Sequence, residues 1–235
     1  MLYIHIYRLS IQIFFLLHFL HKKVTMKNSI YFEMGVFMKL IDISAELMSA
    51  PVYPGDPKPW LEQIANQNNG QAYNLSAIHA CTHTGTHIDT PLHYDTNGAD
   101  AASLPLEAFI GHCRVISIPN GELDETIAAR LPGDCPRLLL CSNGKGWLSL
   151  KAAQILVNKG ILLIGTDSLS IGFGNSEAAV HRLLLHHGIA ILEGLALSHV
   201  KTGAYFLIAP PLKIAGADGT PVRALLTDNP PAHSR

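Results

Sequence analysis

Charge is what this sequence has least of. Only 15% of its 235 residues are Asp, Glu, Lys or Arg, and 17 basic against 18 acidic side chains leave a formal charge of -1. No basic run extends beyond His21-Lys22-Lys23, so the chain lacks the electrostatic footprint of a nucleic-acid binder. Cysteine is scarce and scattered. Cys81, Cys113, Cys135 and Cys141 form no C-x-x-C pair that would hold zinc or cycle redox, and they read as small buried apolar groups in a reducing cytoplasm. A long apolar run is missing too. The segment from Met1 to Leu20 is broken by Arg8, Gln12 and His18, leaving five uninterrupted apolar residues, Ile13 to Leu17, against the roughly 20 that a membrane span needs. Positive charge follows this segment instead of preceding it, which argues against a secretory signal. Residues 1–37 are expected to be a leader outside the core, with Met26, Met34 and Met38 as alternative starts and a single domain over 38–235. A 48% apolar content at near-zero net charge argues against a disordered chain.

Against this background 13 histidines stand out. The rest of the chain has α/β punctuation. Leu40 to Ser44 alternates like a short strand, and Pro51, Pro54, Gly55, Pro57 and Pro59 then impose an irregular stretch. Short apolar runs at Arg114 to Ile118, Arg137 to Cys141, Ile161 to Gly165, Ile189 to Leu192 and Tyr205 to Ala209 have the length of buried strands. A helix is predicted over Ser176 to His187, capped by Ser176 and stopped by Gly188, and a second over Lys151 to Asn158. His186 and His187 suit the negative end of the first helix's dipole.

The chemistry concentrates in Thr82-His83-Thr84-Gly85-Thr86-His87-Ile88-Asp89-Thr90-Pro91-Leu92-His93. Gly85, Pro91 and the threonines oppose a helix. Read as an extended ribbon, the odd positions His83, Gly85, His87, Asp89 and His93 project to one side, with Gly85 as an open gap for an ion, water or substrate. Imidazole nitrogen and carboxylate oxygen are ligands for Zn²⁺, Mn²⁺ or Fe²⁺. The plain alternative is a His-rich strand on a solvated face that binds nothing; four aligned ligand-type groups around a glycine outweigh it. Glu193 ends the apolar run Gly188 to Leu192, where a carboxylate is costly to bury unless it is paired or bound to a cation.

The stretch fits H-x-G-T-H-x-D-x-P-x-H at all seven fixed positions and resembles the signature of the metal-dependent cyclase family, which includes bacterial kynurenine formamidase and isatin hydrolase. Pro54-Gly55-Asp56, Gly165-Thr166-Asp167 and Leu212 to Val222 extend the likeness over roughly Leu40 to Leu226. The resemblance implies a swivelling β/β/α fold with a mixed, partly barrel-like sheet and outer helices. It implies two divalent ions, Zn²⁺ or Mn²⁺: His83 and His87 hold one, His181 the other, and Asp89 and Glu193 bridge both. His93 becomes the proton donor and acceptor. The reaction implied is hydrolysis of a small aromatic amide by a metal-bound hydroxide, with N-formyl-L-kynurenine giving kynurenine and formate, as in tryptophan catabolism. A cytoplasmic homodimer or homotetramer is the expected state, with a small-molecule amide as partner, no nucleic acid and no stable membrane span.

One departure bears on the substrate. The family's formamidases carry a Trp before Pro-Gly-Asp, and this chain has Tyr53, which stacks over less area and adds a hydroxyl. A cyclic amide or imide, as for isatin hydrolase, is the alternative substrate. Trp60 and Trp147 are expected to pack in the core. A hydrolase using Cys81 or Ser168 as nucleophile lacks the G-x-S-x-G elbow. A non-catalytic metalloprotein with the same ligands has no use for His93 beside an open Gly85.

Overall fold

A computed structural model describes residues 39–228; the expectations for the leader concern residues outside that range. The apolar runs become the middle of a nine-stranded sheet. In chain order the strands among the described residues are β1 (Leu40–Asp42), β2 (Trp60–Ala65), β3 (Leu75–His79), β4 (His87–Asp89), β5 (Ile110–Ser117), β6 (Gly121–Leu123), β7 (Arg137–Cys141), β8 (Gly146–Leu148), β9 (Leu163–Thr166), β10 (Ala190–Glu193), β11 (Gly203–Ile208), β12 (Gly219–Pro221) and β13 (Leu225–Thr227). The large sheet runs β1-β13-β11-β5-β7-β9-β10-β4-β12. Its centre, β5-β7-β9-β10, is parallel, and both flanks are antiparallel. The sheet curls into a half-barrel in a mixed α/β architecture.

Strand alternation divides the core into two layers. Leu138, Leu140, Ile164 and Ile191 point to one side and pack with Leu148, Ala152, Leu156, Val180 and Leu184. That side is covered by helices α1 (Glu125–Arg130), α2 (Leu150–Asn158) and α3 (Glu177–His186). Leu139, Leu163, Leu192 and Ile88 point to the other side and meet Val115, Leu207 and Leu226. Helix α1 is capped by Asp124, whose Oδ1 accepts from Ile127 N at 2.9 Å, and α2 by Ser149, whose Oγ accepts from Ala152 N at 3.1 Å.

Several expectations need correction. Ser176 does not cap α3: a 3₁₀ turn at Gly174–Ser176 runs into the helix, and the Ser176 hydroxyl donates back to Phe173 O at 3.0 Å. Gly188 does end the helix, at φ +71°. Trp60 is not in the core; it begins the β2–β3 hairpin, half exposed, and stacks on His79 at 4.0 Å between centroids. Trp147 is half-buried and stacks on Phe173 at 4.6 Å. Of the cysteines, only Cys113 and Cys135 are fully buried, and all four are free thiols. No helix among the described residues is long and apolar enough to cross a membrane.

Candidate metal centre

Strand alternation also positions the site. In β4, Ile88 faces the second apolar layer, so His87 and Asp89 must face the helices. β10 lies antiparallel beside it with Leu192 opposite Ile88, which sets Glu193 opposite His87 on the helix side. α3 passes over this corner with His181 buried. His181 Nε2 lies 3.2 Å from Glu193 Oε1 and 3.4 Å from Asp89 Oδ2; His87 Nε2 lies 3.4 Å from Asp89 Oδ1 and 3.5 Å from Glu193 Oε2. His83 Nδ1 comes within 2.9 Å of Asp89 Oδ1. The structure therefore brings His83, His87, Asp89, His181 and Glu193 together, although α3 and β10 lie about a hundred residues beyond the histidine-rich stretch in sequence.

The extended ribbon is corrected. Only His87–Asp89 is strand. Thr82–Thr86 turns, with Thr84 N donating to Cys81 O and Gly85 left-handed at φ +68°. Thus His83 reaches Asp89 by folding back instead of by sharing an alternating face. His93 sits in a 3₁₀ turn, Pro91–His93, and its ring lies 4.1 Å from that of His83. Gly85 is not an open gap either: it is buried, and a Cβ there would touch Ala50 and Leu47. Its carbonyl accepts from His87 Nδ1 at 3.0 Å, fixing Nε2 toward the carboxylates. Behind it passes Gly194, left-handed at φ +64°, so close that any Cβ would overlap Gly85 O.

The remaining ring nitrogens and oxygens are held as well. His181 Nδ1 donates to Glu177 O at 2.8 Å, and Ile171 N donates to Glu193 Oε1 at 2.7 Å. Such outer partners fix the tautomer and ring plane of a metal-binding histidine.

The electrostatics couple the buried imidazoles tightly to the buried carboxylates. Burial favours neutral His87, but hydrogen bonds and charge from Asp89 and Glu193 outweigh it and push its pKa up to about 10. The same contest raises His181 to about 9, with Glu193 its strongest partner. Burial would raise Asp89 and Glu193, and Asp89 would also raise Glu193, yet the imidazoles hold both carboxyls below the usual range. Among the described residues, no Lys or Arg pairs with either carboxylate. Three triads present ligand atoms within 4.8 Å of one another: His83/His87/Asp89 and Asp89/His181/Glu193, which share Asp89, and the more exposed His83/His93/Asp218. Nitrogen and carboxylate donors buried together without a resident basic side chain fit a divalent metal.

Asp218, to which the sequence reading gave no role, completes the rim. Its Oδ1 accepts from Thr82 Oγ1 at 2.8 Å, while Oδ2 lies 3.3 Å from His83 Nε2 and 3.5 Å from His93 Nδ1. The signal available was weak: an acid before Gly219 in the C-terminal segment, and Gly219 is required because a Cβ would come within 2.6 Å of the His83 ring. Tyr94 was also missed; its ring lies 5.0 Å from that of His181. Tyr53 Oη donates to Glu177 Oε2 at 2.8 Å, and this bond, aided by burial, pushes its pKa up to about 12.

The family model described as "Putative cyclase" matches residues 41–172. Kynurenine formamidase of Salinibacter ruber is 37% identical over 216 residues, covering 82% of this chain and 99% of the relative. The chain belongs to the cyclase family. Its fold agrees with a solved structure described as a potential metal-dependent hydrolase with cyclase activity, at 31% identity and a TM-score of 0.72, covering 83% of this chain and all of that one. Isatin hydrolase A of Labrenzia aggregata gives 25% identity and a TM-score of 0.70 over 81% of this chain and 93% of its own. Like these cyclase-family members, the protein is a hydrolase, and its donor set is that of a divalent-metal enzyme.

Proposed function

We propose that this cyclase-family hydrolase cleaves the C–N bond of a small aromatic amide, with N-formyl-L-kynurenine as substrate and kynurenine and formate as products. The observation carrying the reading is the pair of donor triads joined at the buried Asp89, with His93 beside them. The likeness to a kynurenine formamidase supports the substrate. In this reading His83, His87, Asp89, His181 and Glu193 would hold the divalent metal; Zn²⁺ and Mn²⁺ would both suit these donors. Divalent ions there supply Lewis-acid charge that makes water nucleophilic near neutral pH and stabilises oxyanion charge.

His93 handles the proton. Burial holds its pKa below the ordinary imidazole value, so the ring is neutral at pH 7 and able to accept a proton from water. As imidazolium it returns that proton to the departing aniline nitrogen. Asp218, fixed by the Thr82 hydroxyl, faces His93 Nδ1 and leaves Nε2 for this exchange. The balance is amide plus water giving carboxylic acid plus amine. Tyr53 offers its ring to the aromatic part of the substrate.

The reading includes one catalytic domain from Met38 onward, working as a cytoplasmic homodimer or homotetramer. Exposed Leu61, Ile64 and Ile78 on the β2–β3 hairpin support assembly, since a two-stranded ribbon is marginal alone, and four unbridged thiols fit a reducing compartment.

The test is elemental analysis followed by assays with N-formyl-L-kynurenine, isatin and cyclic imides. Formate release from the first, lost by about 10²–10⁴-fold in His93→Ala with metal content retained, is expected. Preferential opening of isatin would replace the formamide by a cyclic amide. Full metal occupancy without turnover of any of them would leave a structural metalloprotein.

A further inference from the structure

Glu177 stands outside the ligand set, yet four observations tie it to the site. It lies one helical turn before His181, on the same face of α3, and its carbonyl accepts from His181 Nδ1 at 2.8 Å. Its side chain is only partly buried, and among the described residues no Lys, Arg or His forms an ion pair with it. Tyr53, 124 positions earlier on the proline-rich segment, reaches across to donate its hydroxyl to Oε2 at 2.8 Å. The pair is also within electrostatic reach of the centre, for the charges of both Glu177 and Glu193 bear on the Tyr53 hydroxyl, and those of Glu177, Asp89 and Glu193 bear on Tyr94.

An acid in the first turn of a helix is favoured by the helix dipole wherever it occurs. That preference accounts for the residue type at 177. It does not account for a neutral phenol being brought from a distant segment to hold the carboxylate in place while a second oxygen is left without a cation. Tyr53 remains protonated throughout the neutral range, so it serves Glu177 as a donor and adds no charge of its own. The result is an oriented, partly desolvated negative group beside an aromatic ring, the combination that recognises an ammonium ion through a charge-assisted hydrogen bond and ring contact.

We infer that Glu177 and Tyr53 form an ammonium subsite, making the enzyme selective for amides that carry a protonated amine over neutral amides of the same ring. The inference rests on the aromatic-amide reading above and narrows it: the α-ammonium group of an amino acid whose side chain bears the aromatic amide is the recognised feature. Glu177 is a specificity residue; the subsite has no part in proton transfer.

Equilibrium binding tests it without relying on turnover. Titration calorimetry of the metal-loaded enzyme measures L-kynurenine, which carries the ammonium group, and 2-aminoacetophenone, which keeps the ring and ketone and lacks the amino acid. The comparison is made for the unmodified protein, Glu177→Gln and Tyr53→Phe. Glu177→Gln preserves an acceptor for the tyrosine while removing the charge. The ratio of the two affinities is expected to fall by about 10- to 100-fold in Glu177→Gln, the size of a lost charged hydrogen bond. In Tyr53→Phe it should fall less, because the carboxylate stays but loses its anchor. A purely structural role moves both affinities together and leaves the ratio intact, which overturns the subsite. Failure of the unmodified enzyme to prefer L-kynurenine overturns it equally. The functional reading fails separately: if N-formyl-L-kynurenine is not hydrolysed while L-kynurenine still binds in a Glu177-dependent manner, the subsite stands and the proposed reaction falls.

Discussion

The helix-covered layer of the sheet has two halves built by the same geometry to opposite ends. Over β7 and β9 it is filled with Leu138, Leu140, Ile164, Leu148, Ala152 and Leu156. One strand further along, over β10 and β4, it holds His87, Asp89, Glu193 and His181, all buried. The first half is stable by itself, since apolar burial needs no partner from outside. The second half concentrates two carboxylates and two imidazoles where desolvation is expensive. Alternation decides which side chains meet in that layer; their chemistry decides whether the result is core or site.

The difference is broken most completely by disabling the polar half. Asp89→Asn is expected to abolish metal retention and lower kcat/KM by more than about 10³-fold, because Asp89 joins the two triads His83/His87/Asp89 and Asp89/His181/Glu193; metal analysis alongside the assay checks it. Chelation should do the same reversibly, and should lower the melting temperature by an amount that grows with metal affinity. The opposite variant is Ile164→Ala in the apolar half. Here we expect a stability loss of about 2–5 kcal/mol in denaturant titration, with metal stoichiometry unchanged. If Ile164→Ala instead lost metal with little loss of stability, the two halves would not be separable.

Acidity sharpens the comparison next. In the metal-free protein His87 and His181 are raised to about 10 and 9. Because the folded values exceed the unfolded one, their stabilising contribution is complete below about pH 6.5 and is lost as pH rises through 9 and 10. For Asp89 and Glu193, whose folded values are depressed, the contribution exists above about pH 4 and is lost on further acidification. Metal-free stability should therefore fall from neutral to alkaline pH. Metal binding near pH 7 should release protons from the two imidazoles, and calorimetry in buffers of different ionisation enthalpy reads that release. A smaller effect is expected at the rim: Asp218→Asn should reduce kcat by about 10-fold with the metal retained. The least is expected far from either half. Asp42→Ala, which loses the exposed pair with Arg223, should cost under about 1 kcal/mol.

The apolar half was the easier part to read from sequence. Arg137–Cys141 has the bounds of its strand because a parallel strand buried on both faces is a continuous apolar run. The hairpin Trp60–Ala65 with Leu75–His79 escaped, since prolines precede it and its exposed residues alternate poorly. In the polar half the ligand-type residues were visible, but their arrangement was not. An odd-numbered row suggested one extended face, whereas the chain turns at Gly85 and brings His83 back onto Asp89. Nothing local marks such a turn as tighter than a strand. Glu193 was noticeable as a charge ending an apolar run. His181 drew attention only through the family resemblance, Asp218 lay within the C-terminal segment of that resemblance without a role of its own, and Glu177 is explained locally by the helix dipole.

Gly194 carries a further consequence. The backbone there lies against the carbonyl that orients His87, so a position with no side chain sets the aim of a buried imidazole. A mutational scan scored by hydrolysis will therefore rank residue 194 with the ligands themselves. Anyone redesigning the pocket should keep this crossing of main chains fixed before choosing a single new contact.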